Sequence, residues 1–243
     1  MIRKFLQKIK SYDEVLYNLH KKFDDIKNDS KDLKSLDILL KMFDNNFFMP
    51  ITSWSLSPAQ VHHICNDIVI NKRKNIIEFG AGYSTICIAQ LLKINKIEAT
   101  FYSIEDNQDW IDDLKGILKS LELTDYVNLI HAPLKNIEKE YLYKNQEKWY
   151  DTTILSETTR NIKNIDLLIV DGPFGGSTPF ARHSAFPFFK NRLSENFAIF
   201  LDDTNRIGEK EILAAWSSQF SFYQLVKEDY TYLSNKKGFD IYI

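Results

Sequence analysis

The sequence predicts an α/β fold, a mostly parallel sheet covered by helices on both faces, with a helical N-terminal extension and a C-terminal antiparallel hairpin. Three observations predict it. Short runs rich in Ile, Val and Phe alternate with helical patterns from about residue 75 onward, and those runs are apolar on both faces, as buried parallel strands are. Residues 220–243 then read as two strands joined by a polar turn.

The elements follow in order. From Phe5 to about Lys27, Phe5, Ile9, Tyr12, Val15, Leu16, Leu19, Phe23 and Ile26 recur at three- and four-residue steps, which predicts an amphipathic helix. A second is expected from Ser30, a candidate cap, with Leu33, Leu36, Leu39, Leu40 and Phe43 on one side. Residues 1–50 thus form the helical extension, suited to pairing two subunits as a homodimer, and residues 51–243 form the main domain. A loop, MPITSWSLSP, leads to a helix opened by Ser57 as cap and Pro58 at its first position.

Strands are expected at NIIEF (75–79), ATFYSIE (99–105), YVNLIHA (126–132), IDLLIVD (165–171) and FAIFLDD (197–203), with helices near 83–93, 107–121, 181–193 and 208–218. The segment 133–164 is long for a connection inside an α/β unit and is expected to hold a short helix. Its KWYD (148–151) either packs over the sheet or walls an acceptor pocket. The closing hairpin is expected to pair FSFYQLVKE with GFDIYI through a turn around Ser234 to Gly238.

Composition bounds the function. At 243 residues, 44% hydrophobic and 26% charged, the chain resembles an ordinary globular protein with a sizeable core. Its 31 Lys and Arg against 33 Asp and Glu give a net charge of -2, so no basic field invites nucleic acid. The one compact basic run, Lys72-Arg73-Lys74, reads as a solvated loop rather than a phosphate patch. Cys65 and Cys87 lack metal or redox spacing, and a reduced, cytoplasmic setting is expected. The N-terminus reaches Asp13 and Glu14 without the apolar run of a secretory signal. No stretch approaches the roughly 20 apolar residues of a membrane span.

In an open parallel sheet, ligands bind at the carboxyl ends of the strands, where strand order reverses. Every candidate site residue of the main domain's strands falls at such an end. In EFGAGYST (78–85), Gly80 and Gly82 allow a sharp turn and close approach of a ligand, and Ser84 or Thr85 can cap the next helix. A dinucleotide site wants G-x-G-x-x-G, but here the third glycine position is Thr85, and Glu78 precedes the turn. A carboxylate there repels a pyrophosphate and suits a ligand with ammonium and sulfonium charges and no phosphate, which describes S-adenosylmethionine; the alternative is a buried structural Glu. Glu105 ends the next strand, placed to accept hydrogen bonds from both ribose hydroxyls, while Asp106 is the better helix cap.

With these residues in view, the chain resembles class I S-adenosylmethionine-dependent methyltransferases from about Trp54 to Ile243, through E-x-G-x-G-x-S-T, the strand-end acid, the D-G-P at 171–173 and the terminal hairpin. The resemblance implies a Rossmann-like, seven-stranded sheet with only the last-inserted strand antiparallel. Within that family IVDGPFGG (169–176), ARHSAFPFF (181–189) and FLDDTNRIGEKEI (200–212) resemble small bacterial methyltransferases of surface-polysaccharide gene clusters. Some of these act on sugar hydroxyls or phosphoramidate decorations of a capsule. The resemblance therefore implies a small-molecule or glycan-linked acceptor and O-methylation. One departure is His131-Ala132, where many members place an acid near the adenine amino group, so adenine recognition is expected to rest on backbone groups.

Asp171, Asp202 and Asp203 end two strands that should lie near one another. Three such acids can hold a divalent cation such as Mg2+, as catechol-type members of the family do. Alternatively Asp171 and Asp203 act as turn residues or supply a catalytic base, and Arg206 pairs with Asp202 or Asp203. His183 is either a catalytic base or structural. Trp54-Ser55 either close over the methionine end of the cofactor or simply pack, and His62 and His63 either reach the cofactor face or lie on a helix surface. Two competing readings are a NAD-type oxidoreductase and a non-catalytic binding module on the same fold.

Overall fold

The computed structural model describes residues 2–44 and 47–242, with side chains from Asp13 onward. Phe5, Ile9 and Tyr12 of the predicted apolar stripe therefore lie outside the described side chains, as does Ile243 at the end of GFDIYI. In place of the two expected helices, one helix, α1, runs unbroken from Ile2 to Leu40. Ser30 sits inside it rather than capping a second helix, because no Gly or Pro interrupts the stretch and a lone Ser costs little mid-helix. Among the described side chains of α1, Leu39 near its C-terminal end joins the core, and the following Phe43 does the same. Val15, Leu16, Leu19, Phe23 and Ile26 are exposed.

Helix α2 (Pro58–Ile70) starts as expected, with Ser57 Oγ accepting the Gln60 N–H at 3.3 Å. Asp32 of α1 adds a second cap by accepting the Ala59 N–H at 2.9 Å. The α/β alternation then runs β1 (Asn75–Phe79), α3 (Tyr83–Ile94), β2 (Thr100–Glu105), α4 (Gln108–Ser120) and β3 (Asn128–His131). An unexpected antiparallel ribbon, β4 (Leu134–Asn136) with β5 (Lys148–Tyr150), precedes the expected short helix α5 (Thr152–Thr158). The chain continues through β6 (Ile165–Val170), α6 (Ala185–Phe189), β7 (Leu193–Leu201) and α7 (Ile207–Gln219). Helix α6 is much shorter than the pattern at 181–193 suggested.

The last strands are β8 (Tyr223–Val226) and β9 (Thr231–Ser234). The hairpin exists, but its turn is at Lys227–Tyr230 and its second strand is TYLS, not GFDIYI. The reason is burial: β9 inserts between β7 and β8 with all four residues buried, a place for Tyr232 and Leu233 rather than for a strand carrying exposed Phe239.

The seven-stranded sheet has the order β3-β2-β1-β6-β7-β9-β8. Strand β9 alone runs against its neighbours, and the other adjacent pairs are parallel. Alternation of side chains splits the core between two faces. Ile76 faces α2 and α3 with Leu167, Ile169 and Phe200, whereas Ile77 and Phe79 face Trp149, Tyr150, Phe186 and Phe189. Glu78 shares the parity of Ile76 and so points toward α3, inside the protein.

Arg73 corrects the reading of its basic run as solvated. It is buried and forks onto Asp67 at 2.7 and 3.1 Å while donating to the Asn196 carbonyl at 2.8 Å, tying the end of α2 to the start of β7. Cys65 and Cys87 are free and buried. Among the described residues no helix is long and apolar enough to cross a membrane.

Candidate functional site

Strand order reverses between β2-β1 and β1-β6, and at the carboxyl ends of these strands lies a cleft of about 660 Å³. That volume is in the range of small-molecule sites. Its floor is Gly80 to Ser84, Glu105 to Asn107, Tyr150, Asp171 and Gly172, with Arg182, Asp202 and Asp203 on one side and Trp54 and Phe174 at the mouth.

Two glycines let the chain exits of β1 and β6 touch. Gly80 has φ +90°, and a Cβ on it would come within 3.0 Å of the Gly172 nitrogen. A Cβ on Gly172 would lie 2.2 Å from the Tyr150 hydroxyl and 2.8 Å from the Gly80 nitrogen. Gly82 is different: its backbone is extended, and a Cβ there would meet nothing within 4 Å, so it opens onto the cleft.

Glu78 does not line the cleft. It is fully buried behind the turn, accepting from Ser84 Oγ at 2.5 Å, Thr85 Oγ1 at 2.5 Å and Ser103 Oγ at 2.6 Å. Burial pushes its carboxyl up to about 7 against the pull of these three hydroxyls. Ser84 and Thr85 are therefore not simple caps. Their hydroxyls are committed to Glu78, while Thr85 Oγ1 also takes the Gly82 N–H at 2.8 Å, and Gly82 is the residue at the cap position of α3. Glu78 shapes the loop from behind, and the charge argument passes to residues that face the cleft.

Glu105 is one of these. Oε1 accepts the Asp106 and Asn107 N–H groups, both at 2.9 Å, and Oε2 accepts the Ala81 N–H at 3.2 Å. These bonds fix the carboxylate at the cleft wall beside the glycine turn, and burial raises its pKa against them. The cap of α4 is Asn107, which accepts the Trp110 N–H at 3.2 Å, rather than Asp106. The Trp110 indole in turn donates to the Ala81 carbonyl at 2.7 Å and lines the cleft. His131 turns away and contacts the Asp106 carbonyl at 3.1 Å.

The three aspartates converge as expected, with carboxylate oxygens within 4.8 Å of one another. Among them lies a residue the sequence reading passed over. Arg182 is buried, its Nη2 3.0 Å from Asp171 Oδ1 and its Nη1 2.7 Å from Asp203 Oδ2. Nη1 also donates to the Asp202 carbonyl at 3.1 Å and lies 3.9 Å from Asp202 Oδ2. Arg206 reaches the same Asp203 oxygen at 2.8 Å, which settles its pairing. Burial raises Asp171, against Arg182, and raises Asp202 well above the carboxylate range, with the neighbouring Asp171 adding to the effect.

His183 is not in the cleft. Its ring stacks on Tyr143 at 4.3 Å, and burial lowers it to about 4. His62 contacts Ser35 at 3.3 Å, and His63 is enclosed by Phe200, Tyr230, Tyr232 and Tyr242 with Nδ1 2.8 Å from the Tyr230 hydroxyl. Neither reaches the site. Trp54 and Ser55 do line it: Ser55 Oγ accepts the Thr52 N–H at 3.1 Å, and the exposed Trp54 ring meets Phe174 edge-on at 4.9 Å across the mouth. Trp149 packs in the core, as the packing alternative for KWYD expects, while Tyr150 both packs on Phe79 and lines the cleft.

No family model and no curated protein matches the chain. Solved structures do. A methyltransferase of Podospora anserina bound to SAH is 16% identical, over 86% of this chain and 88% of that one, with a TM-score of 0.56. An O-methyltransferase of Bacillus cereus in complex with SAH is 14% identical, over 84% and 90%, at 0.54. An O-methyltransferase of Streptomyces achromogenes involved in tomaymycin synthesis, in complex with SAM, is 13% identical, over 86% and 90%, at 0.55. At such identities the likeness is one of fold: the chain has the Rossmann-like fold of these methyltransferases.

Proposed function

We propose that the protein is an S-adenosylmethionine-dependent methyltransferase acting on an oxygen of a small polar acceptor. The observation that carries this reading is the charge of the cleft. Among the described residues its lining holds Glu105, Asp106 and Asp229 without a basic partner, while Asp171, Asp202 and Asp203 are offset by the guanidiniums of Arg182 and Arg206. Such a wall repels a pyrophosphate and favours a ligand with ammonium and sulfonium charges. The NAD-type alternative is therefore disfavoured by the whole cleft, and no longer by Glu78.

The residues present fit that cofactor. Glu105 is held at the wall with one acceptor site on Oε2 left for a ribose hydroxyl, Gly82 leaves open space over the start of α3, and the buried Tyr150 hydroxyl has no partner among the described residues. When bound, S-adenosylmethionine supplies an activated methyl group. The chain's own part is to orient the acceptor, manage its proton and keep water out. Asp171 and Asp203 stand at the strand ends to accept the acceptor's proton, and Trp54 with Phe174 shield the mouth.

Among the acceptors the sequence suggests, the acid-rich wall favours a neutral sugar or other polyol hydroxyl over a phosphate-linked or phosphoramidate-linked group. A role in capsule or other surface-glycan synthesis is consistent with that preference. The exposed apolar residues of α1 support a homodimer formed through the N-terminal helices. The test is release of S-adenosylhomocysteine across a panel of neutral sugars, phosphorylated sugars and catechols. Turnover confined to neutral hydroxyls supports the reading, and turnover confined to phosphorylated acceptors contradicts it.

A further inference from the structure

We propose that Arg182 is a built-in cation that takes the place of a divalent metal ion at the Asp171, Asp202 and Asp203 cluster. Three carboxylates at adjacent strand ends are a familiar setting for Mg2+. A metal ion needs their oxygens at about 2.0 to 2.6 Å. Here one oxygen on each of two of these aspartates, Asp171 Oδ1 and Asp203 Oδ2, already accepts from an arm of the same guanidinium, at 3.0 and 2.7 Å.

The arrangement is a seated one. The Arg182 side chain is only 5% exposed, and its fork spans from the end of β6 to the end of β7, where Nη1 also takes the Asp202 carbonyl. Arg206 places a second positive charge on Asp203. A divalent ion entering the cluster would have to expel a buried guanidinium with nowhere to pair, and would meet a cluster whose charge is already largely offset. A planar fork matches two separated carboxylates, which explains why an arginine rather than a lysine serves here. Arg182 is thus a positioning residue that sets the orientation of Asp171 and Asp203 without any metal.

This inference goes beyond the methyl-transfer reading, because cation occupancy is read without donor or acceptor. The free-Mn2+ signal in electron paramagnetic resonance is titrated with wild type, Asp171→Asn, Arg182→Lys, Arg182→Met and the double variant Arg182→Met/Asp171→Asn. Wild type, Asp171→Asn and Arg182→Lys are expected to leave the free-ion signal equally intact at millimolar Mn2+. Arg182→Met is expected to deplete it, and the double variant to restore it. Depletion by wild type that Asp171→Asn abolishes would overturn the proposal, as would a folded, cooperatively melting Arg182→Met that binds no Mn2+. Should Arg182→Met fail to fold, the comparison of wild type with Asp171→Asn still decides.

Discussion

Arg182 Nη2 lies 3.0 Å from Asp171 Oδ1, a buried ion pair that joins the loop before α6 to the end of β6. Removing one partner of such a pair leaves the other charge stranded. Arg182→Met is expected to destabilise the protein by about 3 kcal/mol, at the low end for buried pairs because the aspartates keep some solvent contact. Arg182→Lys should cost less, since it retains the charge but not the fork. Urea denaturation of the three proteins checks the order.

Glu78 makes stability depend on pH. Its folded-state carboxyl is raised from 4.5 to about 7, so the unfolded chain ionises first and stability falls as pH rises between those values. The loss amounts to about 3 kcal/mol on the scale of 1.36 kcal/mol per pKa unit. Glu78→Gln should flatten that part of the profile while binding at the cleft persists. An unchanged slope between the two proteins would show that Glu78 titrates in the folded protein as it does in the unfolded chain.

Gly172 is required by contact rather than by φ. A Cβ there would collide with the Tyr150 hydroxyl, so Gly172→Ala is expected to cost about 1 to 3 kcal/mol. Gly172→Ala combined with Tyr150→Phe should recover part of the loss, because the closest atom is gone while the Gly80 contact remains. Thermal melts of wild type, the two single variants and the double variant test this coupling.

Trp54 and Phe174 meet in the open, so Trp54→Ala should change stability by no more than about 0.5 kcal/mol. The effect is expected in KM, as a loss of closure over the ligands. A Trp54→Ala protein with unaltered kinetics would remove the mouth from the account.

His183→Phe separates a core histidine from a base. The ring stacks on Tyr143 away from the cleft, and the substitution should leave the pH profile of turnover in place. A shift of the acid limb would return His183 to the mechanism.

What was legible in the chain was what local pattern encodes. The five parallel strands, the glycine turn, Glu105 and the three aspartates all announce themselves by apolar runs ending in polar residues. Less legible was what long-range packing decides. Nothing local says that Glu78 points inward with Ile76, that TYLS rather than GFDIYI enters the sheet, or that α1 continues through Ser30. Arg182 was hidden beside a histidine, although a cation next to three expected carboxylates was a usable signal. Trp110 carried no motif at all.

The central claim is that the acid-rich cleft takes S-adenosylmethionine through Glu105. Isothermal titration calorimetry with S-adenosylmethionine and with NAD, on wild type and Glu105→Ala, tests it most directly. The account predicts one S-adenosylmethionine per chain, a Kd raised about tenfold or more by Glu105→Ala, and no heat from NAD. Binding of NAD with none of S-adenosylmethionine would contradict it.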